Sequence, residues 1–398
     1  MMSQLQEAYI VAATRSPIGK APRGMFRHTR PDDLLVSVLQ SALAQVPGLD
    51  PALIEDAIVG CSFPEGAQGL NMARNAVLLA GLPDTVGGVT VNRYCASGIT
   101  AIAMAADRIR TGQADVMIAA GAESMSMVPM MGFHPAVNPR VFEDEHVGMA
   151  YGMGLTAENV ASQWKVSREA QDQFALASHQ KALAAQQAGE FDAEMTTIQI
   201  AQRTPNTATG EVDITHRSVR QDEGARADTT LAALSGLRPV FSAKGSVTAG
   251  NSSQMSDGAG AVILVSERVL KQCNLVPLAR FVSFSVRGVP PEIMGIGPKE
   301  AIPAALKAGG LTLDQIDWIE LNEAFAAQAI AVIQDLGLDP AKVNPMGGAI
   351  ALGHPLGATG AIRAATVIHA MRRKQLKYGM VTMCVGTGMG AAGIFERM

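Results

Sequence analysis

A chain of 398 residues exceeds one ordinary core, so two or three packed units are expected, with enough material to enclose a buried site. The composition is 48% hydrophobic but only 4% aromatic, with 40 glycines and 21 methionines, which calls for small and flexible apolar side chains around closely approaching backbones. A net charge of −4 without a basic run excludes nucleic acid as the main partner, because phosphate binding needs clustered Lys and Arg; an anionic small ligand needs only a local basic patch.

From Met1 to Lys20 no basic segment leads into an apolar stretch, so the opening reads as a strand and export is not expected. No apolar run reaches the ~18 residues that suggest a membrane span. Residues Asp32 to Val59 predict an amphipathic helix, a break at Leu49-Asp50-Pro51, and a strand from Ile54 to Gly60. Next, Val91-Asn92 ends an apolar strand from Gly88 and leads through Cys95 and Gly98 into a small-residue helix starting near Ser97. An apolar strand follows from Asp115 to Gly121. Residues Ser126 to about Ser246 break the pattern, being richer in Gln, Thr, Asp and Glu. They carry a helix, Arg168 to Gln187, that reads as exposed, and a polar hairpin or loop, Ile200 to Thr215. The opening succession then returns. Lys299 to Leu321 gives a helix with apolar Ile302, Ala305 and Leu306, a Gly309-Gly310-Leu311 break and a strand from Ile316. Val343-Asn344 precedes Gly347, Gly348, His354 and the helix Ala361 to Met371, and the strand Gly379 to Gly386 follows. Four elements in one order predict a duplicated α/β pair with mostly parallel sheets and functional groups at strand ends.

Four cysteines, Cys61, Cys95, Cys273 and Cys384, are scattered without CxxC spacing, so a reducing, cytoplasmic setting is expected. Cys95, placed between a strand and a helix, reads either as a small buried hydrophobe or as a thiol whose ionisation a helix N-terminus favours. His354 lies among glycines in Gly353-His354-Pro355-Leu356-Gly357, and a structural and a catalytic imidazole are both open there. Its place in the second copy corresponds to that of Cys95 in the first, so a pseudo-twofold would bring the two together. Cys384 opens Val385-Gly386-Thr387-Gly388-Met389-Gly390, which suits a tight turn, a phosphate cradle or exposed N–H groups for an oxyanion. A dinucleotide-binding reading fails, because an apolar strand, Ala391 to Phe395, follows instead of a helix. Asn322, at another strand end, either caps a helix or serves a site. The methionines Met125, Met127, Met130, Met131, Met149 and Met153 divide between core and a ligand channel.

Taken together, Asn92-Arg93-Tyr94-Cys95-Ala96-Ser97-Gly98, Asn322-Glu323-Ala324-Phe325, Gly347-Gly348-Ala349-Ile350-Ala351-Leu352-Gly353-His354-Pro355 and Cys384-Val385-Gly386-Thr387-Gly388 resemble the active-site motifs of the thiolase family. Thr14-Arg15-Ser16-Pro17-Ile18-Gly19 and Gly250-Asn251-Ser252-Ser253-Gln254 extend the resemblance over nearly the whole chain. It implies a layered αβαβα core: an N-terminal half over residues 1–268 with a loop domain inserted at about 126–246, and a C-terminal half over 269–398. It also implies Cys95 as nucleophile, His354 as its base, Asn322 as holder of a water, Cys384 as acid and base, and the N–H groups of Cys95 and Gly386 as oxyanion donors. Arg226 is expected near the adenine of coenzyme A and Ser253 near the pantetheine. Met153, Met294 and Phe325 are expected along the walls, and Ala249 beside the ligand.

The implied reaction is CoA-dependent cleavage of 3-ketoacyl-CoA to acetyl-CoA and a shortened acyl-CoA. Coenzyme A is a substrate, no prosthetic group or metal is required, and the protein forms a homodimer or homotetramer, alone or within a larger β-oxidation complex. Gly152, where acetoacetyl-CoA thiolases often carry histidine, departs from that subgroup. Together with Arg93, Thr387 and Val289 to Pro298, it points to the degradative branch. A ketoacyl synthase is disfavoured because such enzymes generally place histidine where Cys384 stands. A non-catalytic lipid carrier would leave the motifs unexplained.

Overall fold

The computed structural model describes residues 5–398, the side chain of Gln202 aside. The first half of the chain runs through β1 (Ala8–Arg15), the short β2 (Gly19–Lys20), α1 (Pro31–Ala44), β3 (Asp56–Gly60), α2 (Met72–Leu79), β4 (Val89–Val91), α3 (Ser97–Arg110) and β5 (Val116–Ser124). It then leaves the sheet for α4 (Met153–Gln163), α5 (Arg168–Gln187), the hairpin β6 (Ile198–Pro205) and β7 (Val212–Val219), and α6 (Leu231–Ser235). It returns as β8 (Ser256–Ser266), followed by α7 (Glu267–Gln272) and β9 (Ala279–Gly288). The remainder is α8 (Gly297–Gly309), β10 (Trp318–Leu321), α9 (Ala326–Leu336), α10 (Ala349–Leu352), α11 (Thr359–Lys374), β11 (Tyr378–Val385) and β12 (Met389–Arg397).

Strand order exposes the duplication. One half lies as β1-β8-β5-β3-β4, the other as β9-β12-β11-β10, and a parallel bridge between Ile319 and Val343 stands where β4 stands in the first half. The segment at Val343-Asn344, the counterpart of Val91-Asn92, thus contributes one bridge rather than a strand. A short antiparallel contact, Tyr9 with Arg280 and Ile10 with Ala279, fuses the halves into one ten-stranded sheet. The sheets are mixed, contrary to the mostly parallel expectation: β3 runs parallel to β4 and β5, and β10 to β11, but β8 and β12 are antiparallel to their neighbours. The physical reason is local for β12, since a turn as short as Gly386-Thr387-Gly388 can join only antiparallel neighbours.

Three apolar clusters define the layers. α1 and α2 cover the outer face of the first half and α8 that of the second, while α3 and α11 lie between the two halves of the sheet. α1 buries Leu34, Leu35, Val38, Leu39 and Ala42 as one stripe, with Pro31 in its first turn and Asp32 and Asp33 facing the positive end of the helix dipole. β5 and β8, covered on both faces, are buried at every position, which explains their continuous apolar and small-residue runs.

The central helices meet where neither has a side chain to separate them. A Cβ at Gly360 would lie 2.1 Å from the Ile99 nitrogen, and one at Gly98 would lie 2.7 Å from the Ala361 nitrogen. This contact presses the N-termini of α3 and α11 together. The excursion between β5 and β8 is fastened to β1 by buried Arg15, which donates to Asp222 (2.8 and 2.9 Å) and Glu194 (2.5 Å). Its β6–β7 pair is the hairpin expected from sequence, but α5 is not exposed. Gln171, Asp172, Ala175, Ser178, His179, Ala182 and Ala185 form a buried, largely polar stripe. Among the described residues no helix is long and apolar enough to cross a membrane.

Candidate active site

β4 delivers the chain to Asn92, whose side chain donates to the Ser62 carbonyl (2.9 Å) and accepts the Tyr94 N–H (2.8 Å). Ser97 Oγ closes the same turn, donating to the Tyr94 carbonyl (2.7 Å) and accepting the Arg93 N–H (2.8 Å). These bonds hold Tyr94 at φ +45°, a left-handed conformation that costs a non-glycine residue roughly 1–2 kcal/mol. The bend turns Cys95 inward at the head of α3, where it is 8% exposed. From the other half, α10 ends at Gly353, and His354 is held by its backbone N–H donating to Ser256 Oγ (3.1 Å). The turn Leu356–Ala358, which opens α11, packs against the turn Tyr94–Ala96.

The hydrogen bonds around His354 assign its tautomer. Nδ1 lies 2.7 Å from Thr359 Oγ1, whose hydroxyl donates to the Pro355 carbonyl (3.1 Å). With that hydrogen committed, the ring proton resides on Nδ1, and Nε2 accepts from Asn322 Nδ2 at 3.3 Å. Burial, and then the charge of Arg363, push the imidazolium down to about 3, so the ring is neutral near neutral pH, with its one lone pair on Nε2 shared with the Asn322 amide. Asn322 Oδ1 is buried without a hydrogen-bond partner among the described residues. Asn322 therefore does not cap the following helix with its side chain, and its carbonyl is free for a polar group at the site.

The thiols correct one expectation. Burial pushes Cys95 up to about 12, against the opposing pull of the Gly386 and Cys95 N–H groups, which reach its sulfur. A helix N-terminus stabilises an anion by only ~0.3–1 kcal/mol at exposed positions, whereas a three-unit rise corresponds to roughly 4 kcal/mol. Desolvation wins, and Cys95 rests as a thiol. Cys384, enclosed with Ala157, Val247, Met294, Ala324 and Phe325, is also raised, first by burial and then by Cys95 nearby. Gly386 is followed by Thr387 at φ +65°, a second strained residue, whose hydroxyl donates to the Gly386 carbonyl (2.6 Å).

The residues expected to bind the ligand fall into two groups. Arg226 and Ala249 line a cavity of about 330 Å³ together with Lys20, His179, Asp228 and Ser252. Met153, Met294 and Phe325 form the apolar shell around Cys384. Ser253 belongs to neither group. Its N–H donates to the Ala324 carbonyl (2.9 Å), and it is its neighbour Ser252 that lines the cavity. Phe241 stands edge-on to Phe325 at 6.1 Å between ring centroids, over Gly154, where a Cβ would lie 2.1 Å from its ring. Of the methionines, Met125 is buried, while Met130, Met131 and Met149 are exposed. A larger cavity, about 650 Å³, sits at the root of the β6–β7 hairpin and contains none of the expected site residues; size alone would mislead here.

Lys20, His179 and Phe241 were not singled out from sequence, and Ser252 entered only within the motif Gly250 to Gln254. For His179 a signal existed, because Ala175, Ser178, Ala182 and Ala185 mark a helical stripe of small residues along α5. The polar residues Gln171, Asp172 and His179 on the same face concealed its burial.

A duplicated, layered α/β fold that sets a buried thiol at the head of one central helix, a neutral imidazole just before the other and a second thiol near the first at a strand end has the architecture of an acyl-transferring enzyme with a cysteine nucleophile. The family models "Thiolase, N-terminal domain" and "Thiolase, C-terminal domain" match residues 8–268 and 275–397. A 3-ketoacyl-CoA thiolase of Bacillus subtilis (strain 168) is 51% identical over 399 residues, covering 98% of this chain and 100% of that protein. Among solved structures, acetyl-CoA acetyltransferase of Bacillus anthracis superposes with a TM-score of 0.89 at 39% identity, covering 99% of this chain and 100% of that one. Human mitochondrial 3-ketoacyl-CoA thiolase in complex with CoA superposes at 0.88 with 38% identity, covering 100% and 99%. The chain belongs to the thiolase family.

Proposed function

We propose that this enzyme is an acetyl-CoA C-acyltransferase that cleaves 3-ketoacyl-CoA with coenzyme A, working in the degradative direction. The observation that carries the reading is the meeting of Cys95 with Cys384 and the Gly386 N–H from the other half of the chain, with the turn that follows His354 packed against the Cys95 turn. His354 Nε2 gives up the Asn322 amide and takes the Cys95 proton as the sulfur attacks the 3-keto carbon. The adjacent carbon–carbon bond breaks, and its electrons pass to the enolate of acetyl-CoA, whose oxygen is met by His354 and by a water on Asn322. Cys384 protonates the carbanion. The acyl oxygen on Cys95 takes the N–H groups of Cys95 and Gly386, which in the resting enzyme face the sulfur. The Cys384 thiolate then accepts the proton of the incoming CoA thiol, whose sulfur attacks the acyl carbon. Cys95 leaves and recovers its proton from His354, closing a ping-pong cycle.

Coenzyme A enters as substrate, and the mechanism needs no prosthetic group or metal. Its polar end is assigned to the cavity of Lys20, His179, Arg226 and Ala249, with Ser253 supporting the backbone beside the pantetheine, and its acyl arm to the Met153, Met294 and Phe325 shell. A cytoplasmic homodimer or homotetramer, alone or within a larger β-oxidation complex, fits the exposed Leu70, Leu79 and Val89 beside the edge strand β4. Loss of the 3-ketoacyl-CoA enolate absorbance on adding coenzyme A tests the reaction, with substrates of increasing acyl length. Activity confined to acetoacetyl-CoA would overturn the degradative assignment, and inertness toward every length would overturn the reaction.

A further inference from the structure

Ser178 and His179 are adjacent on α5, so their side chains leave the helix roughly 100° apart and meet different neighbours. Ser178 is buried. Its hydroxyl donates to Glu323 Oε2 (2.7 Å) and accepts the Gly348 N–H (3.1 Å). Glu323 follows Asn322 directly and also accepts from Ile350 N–H (3.2 Å) and Asn344 Nδ2 (2.8 Å). Gly348 opens α10, whose four residues run straight into Gly353 and His354. One hydroxyl thus fastens both backbone arms, that of Asn322 and that of His354, whose side chains meet at 3.3 Å. His179 faces the other way. Its Nδ1 accepts the Arg226 N–H (3.2 Å) at the wall of the cavity assigned to coenzyme A. That bond requires an unprotonated Nδ1, and burial together with Arg226 and Lys20 pushes this imidazole down to about 4.

We propose that Ser178 and His179 are positioning residues with separate duties: Ser178 holds Asn322 and His354 in register for the chemical step, while His179 holds the Arg226 segment for coenzyme A. The inference rests on the assignment of that cavity to coenzyme A. A joint between the two arms acts on turnover. A clamp on the segment carrying Arg226 acts on affinity, because an unfastened segment must be ordered again each time ligand binds.

The test is steady-state thiolysis of acetoacetyl-CoA by the full-length enzyme with coenzyme A varied, alongside direct calorimetric binding of coenzyme A. Removing one or two buried hydrogen bonds predicts an effect of roughly tenfold. Ser178→Ala lowers kcat by about that factor with the KM for coenzyme A within about twofold of the parent. His179→Ala raises that KM by a similar factor with kcat at saturation held to about twofold. His179→Asn, whose Oδ1 stands where Nδ1 stands, restores the affinity. Should Ser178→Ala not fold, Ser178→Cys is read in its place and must show the same loss in kcat. Parent enzyme that turns over substrate but does not protect Arg226 from modification by an arginine reagent when coenzyme A binds overturns the cavity assignment, and the proposal with it. Protection in the parent, with the variants changing kcat and KM together or changing neither, overturns the proposal alone.

Discussion

The resting charge state of Cys95, the proposed nucleophile, is the most exposed consequence of the geometry. Burial raises the Cys95 thiol from its ordinary value of 9.0 to about 12, a difference of three units. At pH 7 the thiolate fraction is then about one in 10⁵, roughly a thousandfold below that of an unperturbed cysteine. His354, pushed down to about 3, does not form a standing imidazolium partner. Cys95 and His354 are therefore both neutral at rest, and in the proposed mechanism deprotonation accompanies attack on the substrate. The perturbation is Cys95→Ser, and the assay is thiolate ultraviolet absorbance of the substrate-free enzyme titrated from pH 5 to 9. Subtracting the variant from the parent should leave no titrating band in that window. A thiolate signal near neutral pH that Cys95→Ser abolishes would refute the reasoning, because the thiol would then have to ionise far below its value of about 12.

Gly360→Ala should be costly to both stability and activity. Its Cβ would lie 2.1 Å from the backbone nitrogen of Ile99, where no side chain can yield. Destabilisation of about 1–3 kcal/mol follows from overpacking, and a 1 Å separation of Cys95 from His354 lowers kcat by roughly 100-fold; thermal melts and thiolysis kinetics read the two effects. His354 also predicts an acid limb in stability. Its folded value, about 3, lies below the unfolded value of 6.5, so the unfolded chain binds the extra proton and stability falls as pH drops from 6.5 toward 3. The slope from this residue approaches 1.4 kcal/mol per pH unit, and denaturant melts between pH 4 and 7 should show it reduced in His354→Asn. For Cys384→Ser, acyl loading of Cys95 should persist while exchange of the acetyl-CoA α-protons with solvent slows by roughly 100-fold or more. Unchanged exchange, followed by NMR in heavy water, would remove Cys384 as the acid and base.

Much of the site was legible because its motifs are local. Asn92 to Gly98 build the Cys95 turn from their own side chains, and Thr359 lies five residues from the imidazole it orients. The duplicated order of helix and strand was equally visible, since hydrophobic periodicity follows which face each element buries. Strand direction was not, because periodicity carries no sign, and the antiparallel β8 and β12 are set by turns and by the excursion between β5 and β8. α5 was misread for a related reason. Its buried stripe contacts the polar groups Glu323, Gly348 and Arg226, so its residues had to be polar, and polarity in a lone helix reads as exposure.

The sequence by itself determined which residue types stand at strand and helix ends, the twofold repeat of the fold, and the glycines that let the two central helices touch. Only the tertiary structure decided the protonation of Cys95 and His354, the division of the binding residues between a polar cavity and an apolar shell, and the joining of Asn322 to His354. Those properties arise from desolvation and from contacts between residues far apart in the chain. Spacing along one strand of sequence holds no measure of either until the halves have packed.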